Sequence, residues 1–134
     1  MKKIIIISTL AIVALIIFIA NKNKAPKVTT YGNTQEISKN VSSTEGRQII
    51  EIRAKGGYTP RMTTAKANVP TILRVETSAT FDCSSALRIP TLGYSKNLPP
   101  TGTTDIEVPS QTAGTTLKAS CSMGMYNFSI SFKS

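Results

Sequence analysis

The chain has 134 residues, 40% of them apolar and 6% aromatic, with two Cys, four Met, and neither Trp nor His. That length allows one domain of ordinary size plus accessory segments. Without histidine there is no Ser–His or Cys–His hydrolytic pair and no two-imidazole blue-copper centre.

Met1-Lys2-Lys3 precedes an unbroken, mostly apolar run from Ile4 to Ala20. As a helix these 17 residues would span about 25 Å, near the lower limit for crossing a bilayer. A run so rich in Ile, Val and Leu has no polar face to offer water. Its exit, Phe18-Ile19-Ala20-Asn21-Lys22, lacks the small residue at −3 that signal cleavage requires. No Cys follows to carry a lipid. Residues 1–20 are therefore expected to be an uncleaved, single-pass anchor in the cell membrane. Lys2 and Lys3 face Lys22, Lys24 and Lys27 across the run, so the positive-inside rule leaves orientation open.

Residues 21–47 are polar, without sustained period, and are expected to form a flexible tether with a reach of about 25–30 Å. The net charge of +9 is shared between this N-terminal part and the remainder. In residues 48–134 the nine Lys and Arg are interspersed with five Asp and Glu. There is no basic run and no aromatic–basic interleaving, so nucleic acid is not an expected partner.

From Gln48 onward, short β-like runs alternate with turns rich in Gly, Pro, Ser and Asn. Ile50, Ile52 and Ala54 alternate with Glu51 and Arg53, ahead of a Gly56-Gly57-Tyr58-Thr59-Pro60 turn. Arg61–Ala67 is a further strand. Leu73 and Val75 share one face of the next, and Ile106 and Val108 one face of another. Ala86–Pro90 is a short strand, and Thr115–Ser120 carries Leu117 and Ala119 inward. The last strand alternates most cleanly, Tyr126, Phe128, Ile130 and Phe132 against Asn127, Ser129 and Ser131. Six to eight short strands in residues 48–134, with no helical period, predict an all-β fold: a small Greek-key β-sandwich.

The chemistry concentrates at Cys121-Ser122-Met123-Gly124-Met125 and one distant partner, Cys83. Thiolate and thioether sulfur are soft ligands that select Cu(I) over harder divalent ions. Gly124 lets a short loop turn tightly, so that sulfurs on either side of it converge. Three readings of the cysteines compete: a structural disulfide closing a 38-residue loop, two unrelated buried thiols, and a joint metal site. Core filling is the ordinary role of a lone Met. Two Met in three positions beside a Cys favour the metal. Zinc would call for Cys and His at closer spacings. Two thiolates can bridge two Cu(I) ions, with thioethers completing each.

The stretch from Ile49 to Ser131 resembles the cupredoxin-like copper-binding domains of bacterial copper trafficking. It is similar in particular to the membrane-anchored Cu(I) chaperones of Gram-positive bacteria and to the related domains of copper-exporting P-type ATPases. The resemblance rests on Gly56-Gly57-Tyr58-Thr59-Pro60, Val69-Pro70, Cys83, Leu87 to Gly93, Leu98-Pro99 and the Cys121-x-Met-Gly-Met125 motif. Where that family alternates aromatic residues inward before the motif, this chain has Gly114 to Ser120. The resemblance implies that Cys83 and Cys121 bridge copper, and that Met123 and Met125 complete a second, weaker and more exposed site.

Three domains of function remain to be separated. The first expectation is a membrane-tethered Cu(I) chaperone or buffer for copper resistance, not an enzyme, holding up to two ions in residues 48–134. It would act as a monomeric domain and pass copper to a copper-exporting P-type ATPase. The second is an exported β-sandwich with a Cys83–Cys121 disulfide and no metal. The third, a copper oxidoreductase, lacks the histidines it would need.

Overall fold

The computed structural model describes residues 37–134; the expected anchor and most of the expected tether lie outside them. Ten strands form two five-stranded sheets. The first sheet holds β1 (Val41–Thr44), β2 (Arg47–Ala54), β5 (Thr71–Thr77) and β8 (Gly102–Val108) in that order, with β3 (Tyr58–Thr59) also paired to β2. The second runs β4 (Met62–Lys66), β10 (Asn127–Lys133), β9 (Thr116–Cys121), β6 (Ala86–Ile89), β7 (Tyr94–Asn97). Two pairings are parallel, β2 with β5 and β4 with β10; the others are antiparallel. No helix among the described residues is long and apolar enough to cross a membrane.

Alternation decides which faces meet. Ile50, Ile52, Leu73, Val75, Ile106 and Val108 from the first sheet are buried against Leu87, Ile89, Leu117, Phe128, Ile130 and Phe132 from the second. Most polar strand residues thereby face outward, as packing of two sheets requires, while Gln48, Thr63, Thr71 and Thr77 are polar residues on the buried side. Ala119 lies opposite Phe128 in the β9–β10 register. Phe128 in turn meets Tyr58 edge to face, ring centroids 5.0 Å apart. Beside Ala119 the aromatic packing thus comes from Phe128 and Tyr58.

Three strands differ from the sequence reading. The segment expected as tether contributes β1, which hairpins onto β2 through Glu45 and Gly46, both at positive φ. β7 forms where only a loop was expected. β3 occupies part of the glycine-rich turn. Tyr126, expected on the last strand's inner face, sits half-buried in the loop before it.

A buried polar clasp joins the two sheets. The Gln48 side chain is fully buried. Its Nε2 donates to the Lys66 carbonyl at 2.7 Å and to Thr71 Oγ1 at 2.8 Å, while Oε1 accepts the Lys66 N–H at 3.0 Å. Removing the amide strands a buried donor and acceptor and leaves a void. Gln48→Ala is expected to cost about 3 kcal/mol in urea unfolding. A loss below about 1 kcal/mol would show that Lys66 finds other partners.

Candidate metal centre

The sandwich has one end at which β2, β5, β7 and β9 finish and β4, β6, β8 and β10 begin. All four sulfurs predicted from sequence lie there. Cys121 is the last residue of β9, 1% exposed, beside Leu87 of β6. Cys83 opens a single 3-10 turn, Cys83–Ser85, in the connection between the sheets. The two are joined sulfur to sulfur, with Cα atoms 5.7 Å apart, a separation that a disulfide spans without moving the backbone. Of the three readings of the cysteines, two unrelated thiols is thereby excluded.

The loop after Cys121 is tightly built. The Gly124 N–H donates to the Cys121 carbonyl at 2.9 Å, and the Cys121 N–H to the Tyr126 carbonyl at 2.9 Å. Gly124 has φ +71, the left-handed conformation that glycine adopts without penalty. The Ser122 N–H donates to the Ala86 carbonyl at 2.8 Å, pinning the loop to β6. The Tyr126 N–H points at Cys121 Sγ, 3.4 Å away. Held this way, the loop pushes Met123 and Met125 outward, 71% and 63% exposed. Core filling is therefore not their role.

Cys83 is positioned by groups that sequence reading missed. Asp82 caps its turn: Oδ1 accepts from the Ser84 N–H at 2.8 Å and from Ser84 Oγ, and Oδ2 accepts the Gly56 N–H at 2.9 Å. One carboxylate so ties the Gly56-Gly57 turn to the cysteine turn. From inside, the Tyr58 hydroxyl donates to the Ser84 carbonyl at 3.0 Å. Burial, with the Asp82 charge nearby, pushes that phenol well above its ordinary value. Gly57 carries the ring of Tyr126, which would lie 3.5 Å from a Cβ built there. The signal for Asp82 was in the sequence: Asp followed two residues later by a backbone donor in Asp-Cys-Ser-Ser is a capping pattern.

The Ser84 hydroxyl first, then the Gly56 and Ser84 N–H groups, hold the Asp82 carboxyl below the usual carboxylate range. A depressed folded value means that its contribution is complete above the unfolded value of about 3.9 and fades as pH falls through the folded one. Asp82→Ala is expected to cost about 1 kcal/mol at pH 7. In urea unfolding, the gap between variant and wild type should close as the pH is lowered. A gap independent of pH would mean that the carboxylate charge plays no part.

Four large apolar side chains are strongly exposed among the described residues: Met62, Phe81, Met123 and Met125. Met62 begins β4 and Phe81 stands two residues before Cys83, so all four gather at the sulfur end. An open groove of about 380 Å³ runs from the Gly56-Gly57 turn past Arg61 to Met125 and Tyr126. Among the described residues no three His, Cys, Asp or Glu side chains converge on a common point.

Two five-stranded sheets, closed at one end by a sulfur-rich loop between the last two strands, define a cupredoxin-like β-sandwich. The chain belongs to the cupredoxin-like domain family, whose model matches residues 9–129. Its fold is shared with the metal-binding domain of the Streptococcus pneumoniae D39 Cu(I)-exporting P-type ATPase CopA, solved with Cu(I). The two are 21% identical with a TM-score of 0.62, over 70% of this chain and 93% of that domain. A copper-binding protein solved by NMR in its apo form is 25% identical with a TM-score of 0.62, over 69% of this chain and 94% of its own. No curated protein matches the chain significantly. The resemblance read from the sequence holds at the level of family and fold.

Proposed function

We propose that this protein is a Cu(I) carrier. In its reduced state Cys83 and Cys121 supply the tight thiolate site, and Met123 and Met125 a weaker, exposed thioether site. The observation that carries the reading is the placement of four soft donors at one end, two of them thioethers held out in solvent beside the cysteine pair. Neutral thioethers bind Cu(I) without the charge that would make release slow, which suits a point of handover. The exposed apolar collar around them is the kind of patch that marks a protein contact. We assign the partner as a copper-exporting P-type ATPase, reached by ligand exchange through a shared Cu–thiolate intermediate. The apolar run at residues 4–20 would hold the carrier at the membrane where that partner resides.

The Cys83–Cys121 bond favours a second reading, a disulfide-stapled β-sandwich with no metal. One titration separates the two. The full chain in detergent, reduced and kept anaerobic, is titrated with Cu(I) against a competing chelator. Two equivalents, one tight and one weak, are expected. No uptake in competition with the chelator would leave the stapled sandwich as the function-neutral description.

A further inference from the structure

We propose that Cys83 is a thiol–disulfide exchange site for low-molecular-weight thiols of the glutathione class, with Cys121 as its resolving partner, and that this exchange gates copper loading. The gating part rests on the Cu(I)-carrier reading above; the exchange itself does not.

The two bonded sulfurs stand in unequal surroundings. Cys121 is 1% exposed and packed in the core at the end of β9. Cys83 is half-buried, at the start of a single 3-10 turn and two residues after the strongly exposed Phe81. Exchange requires in-line approach to one sulfur and departure of the other as thiolate. Of the two, Cys83 is the more exposed, and so the better placed for attack. Attack there makes Cys121 the departing sulfur, and the Tyr126 N–H lies 3.4 Å from its Sγ as a hydrogen-bond donor.

The chemistry balances without further reactants. A small thiolate attacks Cys83 Sγ; the Cys83–Cys121 bond breaks and Cys121 departs as thiolate, leaving a mixed disulfide on Cys83. A second small thiolate attacks the small-molecule sulfur of that mixed disulfide. Cys83 is freed as thiolate, and the small-molecule disulfide carries away the oxidising equivalents. Two electrons have passed from the small thiols to the protein. The reverse sequence begins with the Cys83 thiolate attacking a small disulfide and ends with Cys121 displacing the adduct. The thiolates of the tight Cu(I) site exist only in the reduced form, so loading of that site follows the local thiol poise.

The test uses reduced full-length chain in detergent, treated with oxidised glutathione, quenched by acid and mapped by peptide mass. In wild type a transient glutathione adduct is expected on Cys83, giving way to the intramolecular bond. Cys121→Ser should accumulate that adduct, and Cys83→Ser should react at least about tenfold more slowly. Because wild type alone reports the site of the transient, misfolding of a variant does not decide the matter. An adduct first on Cys121, or no exchange in wild type, would falsify the proposal. In parallel, oxidised protein should take up the tight equivalent of Cu(I) only after reduced glutathione is added. If the reduced protein exchanges at Cys83 yet takes up no Cu(I), the exchange site stands, and the carrier reading and its gating fall.

Discussion

Cys121→Ser is expected to lower Cu(I) affinity by at least about a thousandfold, or about 4 kcal/mol, while Met123→Leu with Met125→Leu removes only the weaker equivalent. The difference follows from position. Cys121 is the buried anchor of the cysteine pair, and its replacement takes away a thiolate that no other side chain can supply. Among the described residues the other sulfurs at that end are Cys83 and the exposed thioethers of Met62, Met123 and Met125. Met123 and Met125 are 71% and 63% exposed, so leucine there disturbs no packing and tests ligation alone. Both sets should be measured under reducing conditions, where wild type also lacks the disulfide and stability differences are matched. Competition against a chelator gives the affinities. Two equivalents retained by the double Met variant would remove Met123 and Met125 from the site. Undiminished tight binding by Cys121→Ser would remove the cysteine pair.

Reduction of the Cys83–Cys121 bond in the metal-free protein is expected to lower stability by about 4 kcal/mol, on the chain-entropy cost of a loop closed over 38 residues. For a domain of this size that corresponds to a fall in Tm of about 15–30 °C. Cu(I) bound by the two thiolates closes the same loop. Free Cu(I) at about a thousand times Kd would return about 4 kcal/mol. Melting followed by circular dichroism should therefore rank the forms: oxidised high, reduced apo low, reduced with Cu(I) high again. A reduced protein that melts with the oxidised one would show that the sheets hold the cysteine turn unaided. A reduced form that Cu(I) leaves unchanged would favour the metal-free sandwich.

The inward faces of β2, β5, β8, β9 and β10 are legible in the sequence because period-two alternation is a local property. A strand buried on one face must repeat apolar and polar residues, as Ile50, Ile52 and Ala54 do, and again Phe128, Ile130 and Phe132. The edge strands β1 and β7 show no such signal. Each has a half-buried first residue and is exposed thereafter, so backbone pairing alone holds them and their sequences read as loop.

At the sulfur end the division is the same. The soft donor set, the absence of imidazole and the Gly124 turn stand in the sequence, because ligand type and left-handed backbone are fixed residue by residue. Which sulfurs meet is another matter. Cys83 reaches Cys121 only because parallel β2–β5 and the crossing between sheets return the chain to one end, and Asp82, Tyr58 and Gly56 then fix the turn. The Gln48 clasp is likewise a pairing across 18 residues, and nothing in its neighbours announces it. Composition and alternation determined the sandwich and its chemistry. Long-range pairing decided where that chemistry is gathered, because contacts between distant residues are set by packing and not by local pattern.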